Sequence, residues 1–341
     1  MIEIITKIVT SFIDPITIME VEVLQSGLIN QTYKLTTDQG DFILQKMNQK
    51  VFPNIHSLLN NKIKITQFLK EKGFATLTFI PTKEGLFFAF DGEDIWQMSV
   101  YIPSTIKQKI DSPEVAEQAG EYLAQFHKVL LDFPTEELEY TIPDFHNTGK
   151  RYFDFLNTIE NASAERLVLA NKTIESIKMM FSMIQPVANA IQNGIIPMRV
   201  VHNDTKISNM LFDNQESIIC IIDYDTIMPG SILHDIGDAL RTGTNTASEE
   251  EKDLTKVNFD FSIFESFMEG YSKEAKSFMT KEEAENIHLS LPLLLFEQGC
   301  RFLGDYLEND RYYATSYANH NLVRAKTQLH LLEQVGSYLK I

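Results

Sequence analysis

Cysteine is scarce in this sequence, which also lacks a long apolar run and an excess of basic residues. The two cysteines among 341 residues, Cys220 and Cys300, have apolar neighbours, so we expect reduced core thiols and no disulfide framework. The apolar stretch 289–296 is too short to span a bilayer. With 30 Lys and Arg against 47 Asp and Glu, the net charge of −17 opposes a nucleic-acid or anionic-membrane partner. The first residues show no signal-like pattern, so we expect a cytoplasmic protein. We also expect a monomer.

The most informative stretch is Val200–Asp225, where carboxylates, an amide, a lysine and an imidazole surround two apolar runs. Its first half has the H-x-D-x-K-x-x-N spacing of a protein-kinase catalytic loop, formed by His202, Asp204, Lys206 and Asn209. Phosphoryl transfer needs an aspartate that orients or deprotonates the attacking hydroxyl, an asparagine that holds Mg²⁺ and a lysine that neutralises charge. A surface loop rich in turn-forming residues is the alternative.

The second half of this stretch reads as a β-hairpin. Met210–Phe212 and 217–222 are apolar runs separated by an Asp-Asn turn, so the second strand should return Asp223 to the Asn209 end. We therefore expect Asn209 and Asp223 to be Mg²⁺ ligands, with a simple turn amide as the alternative for Asn209. Asp225 is either a further ligand or a strand-end residue.

The N-terminal third has a strand–loop–strand–turn–strand pattern of the kind that covers ATP phosphates in kinase-like folds. A helix is predicted over 2–13, and strands over 18–24, 31–37 and 42–47. Gly27 and Asn30 lie in the first connection and are predicted to contact the nucleotide, although an ordinary hairpin is as compatible with this pattern. Gln45 occupies the third strand, where a general kinase has lysine, and is predicted to contact the nucleotide phosphates in an unusual way. Tyr101 and Ile102 form either a hinge whose backbone meets adenine or a plain linker.

Helices dominate the rest of the chain. Further strands are predicted over 77–80, 86–90 and 95–102, and helices over 54–72, 113–131, 150–160, 165–192, 235–242, 261–272, 281–304 and 320–339. This order predicts an α+β, bilobal protein-kinase-like fold. Its β-rich nucleotide-binding lobe would span 1–102, and an α-rich lobe with the catalytic loop would span 103–341.

With these residues in view, the chain resembles the aminoglycoside phosphotransferase/choline kinase superfamily and, within it, the N-acetylhexosamine 1-kinases. The resemblance covers essentially the whole chain. Its most specific segments are residues 42–54, 202–213, 221–254 and 299–329. It implies ATP- and Mg²⁺-dependent phosphorylation of the anomeric hydroxyl of N-acetylglucosamine or N-acetylgalactosamine, a small-molecule sugar substrate.

The resemblance also implies roles for individual residues. Asp204 would accept the proton of the sugar 1-hydroxyl, and Lys206 would contact the γ-phosphate unless it is a solvent-exposed lysine. His202 would pack and hydrogen-bond to shape the loop, and Asp235 would hold the loop backbone by accepting N–H bonds. Both are structural supports of the site.

For the sugar, the resemblance points to Arg301, Asp305 and Tyr312. Arg301 and Asp305 are four residues apart in a predicted helix, so an intrahelical ion pair is the alternative. One departure from the family pattern is Leu28, which replaces a histidine in the Gly-x-Ile-Asn turn and removes a polar group. Another is Gln45, which the hexosamine kinases share.

Two other functions remain open. A kinase for another alcohol, such as an aminoglycoside or choline, would suit the acidic composition, because a cationic substrate is attracted to it. A nucleotide-binding pseudokinase would suit Gln45 and the glycine-poor first turn. The complete set of Asp204, Asn209 and Asp223 argues against a pseudokinase.

Overall fold

The computed structural model of the protein describes residues 2–24, 30–52 and 54–341. The chain forms two compact units, each assembled from separate stretches of sequence. The first contains Met1–Ile106, Asp132–Pro143 and Met210–Met228, and the second contains Lys107–Leu131, Asp144–Asn209 and Pro229–Ile341. Sheet and helical regions together confirm the α+β class. The lobe boundary after residue 102 stays a prediction.

The element bounds follow the predicted order closely. Strands are β1 Ile18–Leu24, β2 Gln31–Thr37, β3 Gly40–Lys46, β4 Ala89–Phe90, β5 Ile95–Val100, β6 Thr105–Ile106, β7 Arg199–Val201, β8 Met210–Phe212, β9 Ile218–Ile221 and β10 Met228–Gly230. Helices are α1 Ile2–Phe12, α2 Ile55–Glu71, α3 Pro113–Leu130, α4 Thr148–Asn161, α5 Ala164–Gln192, α6 Ile232–Gly243, α7 Phe261–Ala275, α8 Lys281–Asn286, α9 Ser290–Leu307 and α10 His320–Leu339.

The first unit is built on an antiparallel sheet of order β1-β2-β3-β5-β4. Alternation of side chains along β2 and β3 turns Leu35 and Leu44 to one face, where both are fully buried. The apolar stripe of α1 covers that face, and Val9 and Phe12 pack in the same cluster. This cluster fixes the register of the strands, because a slip of one residue would expose it.

A second sheet in this unit contains the predicted hairpin. β8 pairs with β6 on one side and with β9 on the other, all antiparallel. In the hairpin, Met210 lies opposite Ile221. Since Met210 follows Asn209 in the chain, β9 ends near the start of β8, as the sequence predicts.

Two predicted strands are shorter than expected. Over 77–80 only Phe79 forms a bridge, to Ser99 of β5. The predicted strand 86–90 is reduced to Ala89–Phe90, because the backbone of Leu86 is used in a turn, where its carbonyl accepts from Thr82 N–H at 2.6 Å. At this edge of the sheet, the hydrogen bond that closes the turn takes the place of pairing with a neighbouring strand.

The second unit is helical, and α9 lies at its centre, packed against α4, α5, α6 and α10. The predicted helix 281–304 is wrong as a single element: α8 ends at Asn286, a 3₁₀ turn follows, and α9 begins at Ser290. Pro292 explains the break, since it lacks an N–H and is tolerated only in the first turn of a helix. Among the helices of the described ranges, none is long and apolar enough to cross a membrane.

Helices α3 and α7 approach each other closely where two glycines face the partner backbone. A Cβ built on Gly270 would lie 1.9 Å from the carbonyl oxygen of Glu117, and one on Gly120 would lie 2.0 Å from that of Phe267. Glycine is therefore required at both positions by contact distance, because backbone atoms cannot move aside as a flexible side chain can.

We expect Gly270→Ala to lower the free energy of unfolding by roughly 1–3 kcal/mol, because the methyl group forces α7 away from α3. Urea unfolding followed by circular dichroism measures the change. Gly336→Ala in α10 is the control: its new Cβ would lie 3.8 Å from the nearest atom, so stability should be unchanged or slightly higher. Equal stability of Gly270→Ala and the wild type would contradict this account.

Candidate active site

The loop that follows β7 is held in place by one buried carboxylate. Asp235, in the first turn of α6, accepts the N–H of His202 at 2.8 Å through one oxygen and the N–H of Asn203 at 2.6 Å through the other. Asn203 has φ of 64°, a left-handed conformation that a non-glycine residue adopts only when its surroundings impose it. Asp235 thus fixes the backbone immediately before Asp204.

Asp235 is itself held by a hydrogen-bonded chain. His127 of α3 donates from Nε2 to Asp235 at 2.9 Å, and its Nδ1 lies 2.8 Å from the hydroxyl of Tyr271. Burial would raise the pKa of the Asp235 carboxyl, but the hydrogen bond and charge of His127 and the His202 N–H outweigh it and lower that pKa. Asp235 is therefore an ionised acceptor at neutral pH.

The candidate base has two polar partners in its own loop. Lys206 Nζ donates to Asp204 Oδ2 at 2.8 Å, and Asn209 Nδ2 donates to the same oxygen at 2.9 Å. Asp204 remains 29% exposed in its side chain, so an incoming hydroxyl can reach it. His202 Nδ1 accepts the N–H of Asp204 at 3.3 Å, which places the imidazole in a supporting position.

The amide of Asn209 has a defined orientation. Its nitrogen donates to the Asp204 carboxylate and, at 2.9 Å, to the Asp204 carbonyl, and both are acceptors only. The atom facing them must be the nitrogen, so Oδ1 is turned to the other side of the amide. An amide oxygen is a ligand atom that suits Mg²⁺.

Asp223 lies two residues after the end of β9 and adopts a left-handed conformation, with φ 68° and ψ 55°. Strain of this kind is often retained where a side chain must be aimed at a ligand. In the described part of the chain, no group of three or more His, Cys, Asp or Glu residues could hold a metal ion.

Asp225 has partners that oppose a role as metal ligand. Lys62 Nζ lies 2.6 Å from one carboxylate oxygen, and Asn30 Nδ2 donates to the other at 2.5 Å. Both oxygens are thus engaged, and an ammonium at that distance would repel a cation. Asn30 is buried, and its amide oxygen also accepts the N–H of Asn48 at 2.9 Å. The side chain of Asn30 thus has a supporting contact, and its nucleotide contact stays a prediction.

Sequence reasoning missed Lys62, although a signal was present. Lys62 follows Leu58 by four residues and precedes Ile65 and Leu69 by three and seven, so helical spacing places it on the apolar stripe of α2. A lysine in such a stripe needs a buried partner. Its partner, Asp225, lies more than 160 residues away in sequence, which no local pattern identifies.

The predicted nucleotide contacts of the first unit are placed as follows. Gln45 on β3 lies opposite Thr32 and Gln97 on the neighbouring strands, and its amide is 3.4 Å from the Thr32 hydroxyl. At the end of β5, Tyr101 N–H donates to Asp41 O at 3.0 Å and Ile102 O accepts from Ser104. Gly27 and Leu28 lie outside the described residues.

In the second unit, Asp305 holds the segment that carries Tyr312. Its oxygens accept the N–H groups of Tyr312 at 2.8 Å and Tyr313 at 3.0 Å, and the side-chain amide of Asn321 at 2.9 Å. These bonds favour a positioning role over direct sugar contact. The alternative ion pair with Arg301 is not formed within the described ranges. Tyr312 is 65% exposed.

Arg301 lies among rings and opposite charges. Its guanidinium carbon is 5.2 Å from the ring centroid of Phe145 and 5.9 Å from that of Tyr313. No hydrogen bond from the guanidinium reaches another described residue, so its donors remain available to a ligand. Nearby on α6, Arg241 pairs with Asp238 at 2.9 Å and with Glu249 at 3.2 Å.

A buried cluster of ionisable groups adjoins Arg301. Glu297 accepts from Thr148 at 2.8 Å and lies 2.7 Å from His146, whose ring lies 4.8 Å from that of His234. Burial would raise the pKa of Glu297, but His146 lowers it to about 2. Burial, together with the charge of His146, lowers the pKa of His234 to about 3. At neutral pH, Glu297 is charged and His234 is not.

Comparison with known proteins reveals a family match and a fold match. The sequence profile of the Phosphotransferase enzyme family (APH) matches residues 20–258. An aminoglycoside phosphotransferase from Alicyclobacillus acidocaldarius aligns with a TM-score of 0.63 at 14% identity, covering 98% of this chain and 96% of that one. A choline kinase from Cryptosporidium parvum gives 0.63 at 14% identity, with 100% and 97% coverage. A microcompartment-associated aminopropanol kinase gives 0.63 at 14%, with 99% and 98% coverage. At this identity the three likenesses concern the fold.

We expect the free energy of unfolding to fall by about 2–3 kcal/mol between pH 6.5 and 4.5 because of His234. A group whose pKa is depressed on folding contributes stability above its unfolded pKa, near 6.5 for histidine, and that stability is lost as pH falls toward the folded value. Urea unfolding at several pH values measures this slope. It should flatten in His234→Leu and persist in a control with the exposed His288 replaced, His288→Gln. An unchanged slope in His234→Leu would rule out this source.

Proposed function

Because the chain belongs to the Phosphotransferase enzyme family, we propose that it is an ATP-dependent kinase that phosphorylates the anomeric hydroxyl of an N-acetylhexosamine. The family supports the coarser statement, transfer of phosphate to the hydroxyl of a small molecule. The observation that carries the proposal is the loop at 202–209, which Asp235 holds and in which Lys206 and Asn209 both donate to Asp204 within 3 Å.

The proposed reaction moves one phosphoryl group and one proton. The acceptor oxygen forms a bond to the γ-phosphorus while the bond from that phosphorus to the β–γ bridging oxygen breaks, and ADP leaves. Asp204 accepts the hydroxyl proton, a role worth roughly 10²–10⁴ in rate. Lys206, whose ammonium lies beside Asp204, neutralises charge on the transferred group.

The proposed metal ligands are Asn209 and Asp223, whose oxygens have the hard-donor character that Mg²⁺ prefers. When bound, Mg²⁺ would neutralise phosphate charge and orient the triphosphate. For the nucleotide, we propose Gln45 near the phosphates and the backbone of Tyr101 and Ile102 at the adenine.

For the sugar, the proposal rests on the second unit. Arg301 has donors that no described residue uses, and a guanidinium suits the carbonyl of an acetamide or a ring hydroxyl. Tyr312 offers an exposed aromatic ring, and Asp305 fixes the backbone that carries it. The hexosamine assignment follows from the resemblance of the segment 299–329.

A second candidate substrate is a cationic alcohol, such as an aminoglycoside or choline. The net charge of −17 favours the approach of a cation, and structures similar in fold include a choline kinase and an aminoglycoside phosphotransferase.

We expect ADP release from ATP and Mg²⁺ with N-acetylglucosamine or N-acetylgalactosamine, and little with glucose, choline or kanamycin. Phosphorus NMR of the product should show a sugar 1-phosphate, which has no free reducing end. Turnover on kanamycin or choline without turnover on either amino sugar would replace the first substrate class with the second. Nucleotide binding without any turnover would support a regulatory nucleotide-binding protein.

The base assignment has its own test. We expect Asp204→Asn to bind ATP with wild-type affinity and to lose roughly 10²–10⁴ of kcat, because an amide cannot accept the hydroxyl proton. Calorimetry and a coupled ADP assay measure the two quantities. Asp213→Asn is the matched control, since this aspartate serves the hairpin turn by accepting the N–H of Gln215 at 2.8 Å. Substantial activity in Asp204→Asn would refute the assignment.

A further inference from the structure

Lys62 and Asp225 form an ion pair deep inside the first unit. The Nζ–Oδ1 distance is 2.6 Å, and the two side chains are 2% and 5% exposed. Burying two charges carries a large desolvation cost, and well-packed apolar residues often stabilise a fold as well or better. Fold stability alone is therefore a weak explanation for the pair, and its neighbours must be considered.

The Asp225 carboxylate joins three segments of the unit. Lys62 brings α2 to one oxygen, while Asn30, at the start of β2, reaches the other. The oxygen of Asn30 also accepts the N–H of Asn48, just after β3. Asp225 therefore ties α2 and the β2–β3 edge of the sheet to the turn that begins at Asp223.

Helix α2 holds the same turn at a second point. Asn61, next to Lys62, donates from its side-chain amide to the carbonyl of Ile227 at 3.0 Å. Asn61 and Lys62 are both essentially fully buried. Helix α2 therefore holds the turn between Asp223 and Ile227 at two points, at Asp225 in the middle of the turn and at Ile227 at its end. The turn carries the strained, left-handed Asp223, and such a conformation persists only where its surroundings impose it.

Lys62 is unsuited to a direct phosphate contact. It is 1% exposed, its ammonium is committed to Asp225, and it lies 5.4 Å from the ring centroid of Phe79. Any role in catalysis must therefore act through Asp225.

We propose that Lys62 is a positioning residue that sets the geometry of Asp223 as a metal ligand through its ion pair with Asp225, an inference that rests on the proposed function. General kinases link a strand lysine to a helix glutamate. Here Gln45 occupies the strand position, and the pair is reversed, with the cation on α2 and the acid on the turn of the metal site.

The test replaces both charges at once, because Lys62→Met alone would leave a buried carboxylate without its partner and could unfold the protein. In Lys62→Met/Asp225→Asn the shape is retained, and the new amide oxygen still accepts from Asn30. We expect a folded protein with a cooperative thermal transition. The single variant Lys62→Arg keeps the positive charge. Its properties should therefore lie closer to those of the wild type than the properties of the double variant do.

The readout is the Mg²⁺ dependence of ATP binding, measured by calorimetry without an acceptor. We expect the Mg²⁺ concentration for half-maximal effect to rise about 10- to 100-fold in the double variant, as when the support of a metal ligand is lost. ATP affinity in EDTA should stay within about two-fold of wild type, since no nucleotide contact is removed. The control is Lys72→Met/Asp132→Asn, an exposed pair at 2.6 Å at the end of α2, which should behave as wild type.

The outcomes separate the two proposals. A folded double variant with wild-type Mg²⁺ dependence overturns the role of Lys62 and leaves the kinase assignment intact. A wild-type protein whose ATP binding does not respond to Mg²⁺ overturns the proposed function, and the positioning role with it.

Discussion

The arrangement of the candidate site depends on the hydrogen bonds that the Asp235 carboxylate accepts. Two backbone N–H groups and an imidazole converge on a side chain that is fully buried, and the left-handed conformation at Asn203 follows from them. A carboxylate without these donors would be costly at this depth, and the loop without the carboxylate would have no reason to adopt a strained turn. The buried carboxylate therefore depends on the loop N–H groups, and the conformation of the loop depends on the carboxylate. Together they determine the position of Asp204.

The same device recurs at two other places. Asp225 gathers a lysine and an asparagine around the turn of Asp223, and Asp305 gathers two backbone N–H groups and an asparagine around the segment of Tyr312. In each case several hydrogen-bond donors from separate segments converge on one buried acid. These three carboxylates are buried, and each accepts several hydrogen bonds. Truncating one of them would leave several donors unsatisfied.

Sequence reasoning predicted most elements because their signals are local. The alternation in β2 and the hairpin of β8 and β9 each depend on a few neighbouring residues. Long-range contacts gave no such signal, and they decide the partners of Asn30, Lys62 and Asp225. The ion pair that the spacing of Arg301 and Asp305 offered as an alternative is not formed in the described residues, where Asp305 accepts from other donors. Pro292 was a local signal for the break before α9, but the strong apolar periodicity around it obscured the break.

Replacing the strand lysine by Gln45 has an electrostatic consequence under the proposed function. A triphosphate carries several negative charges, and a chain of net charge −17 repels it at long range. Lys62 cannot compensate, since its charge is already matched by Asp225 at 2.6 Å. Lys46, on the opposite face of β3, is likewise paired, with Asp94 at 2.5 Å. Neutralisation then falls to Lys206 and to the metal ion, so nucleotide binding should depend more strongly on Mg²⁺ here than in a kinase with a strand lysine. The accuracy with which Asp223 is held accordingly matters more, which is a physical reason to retain a buried ion pair behind it.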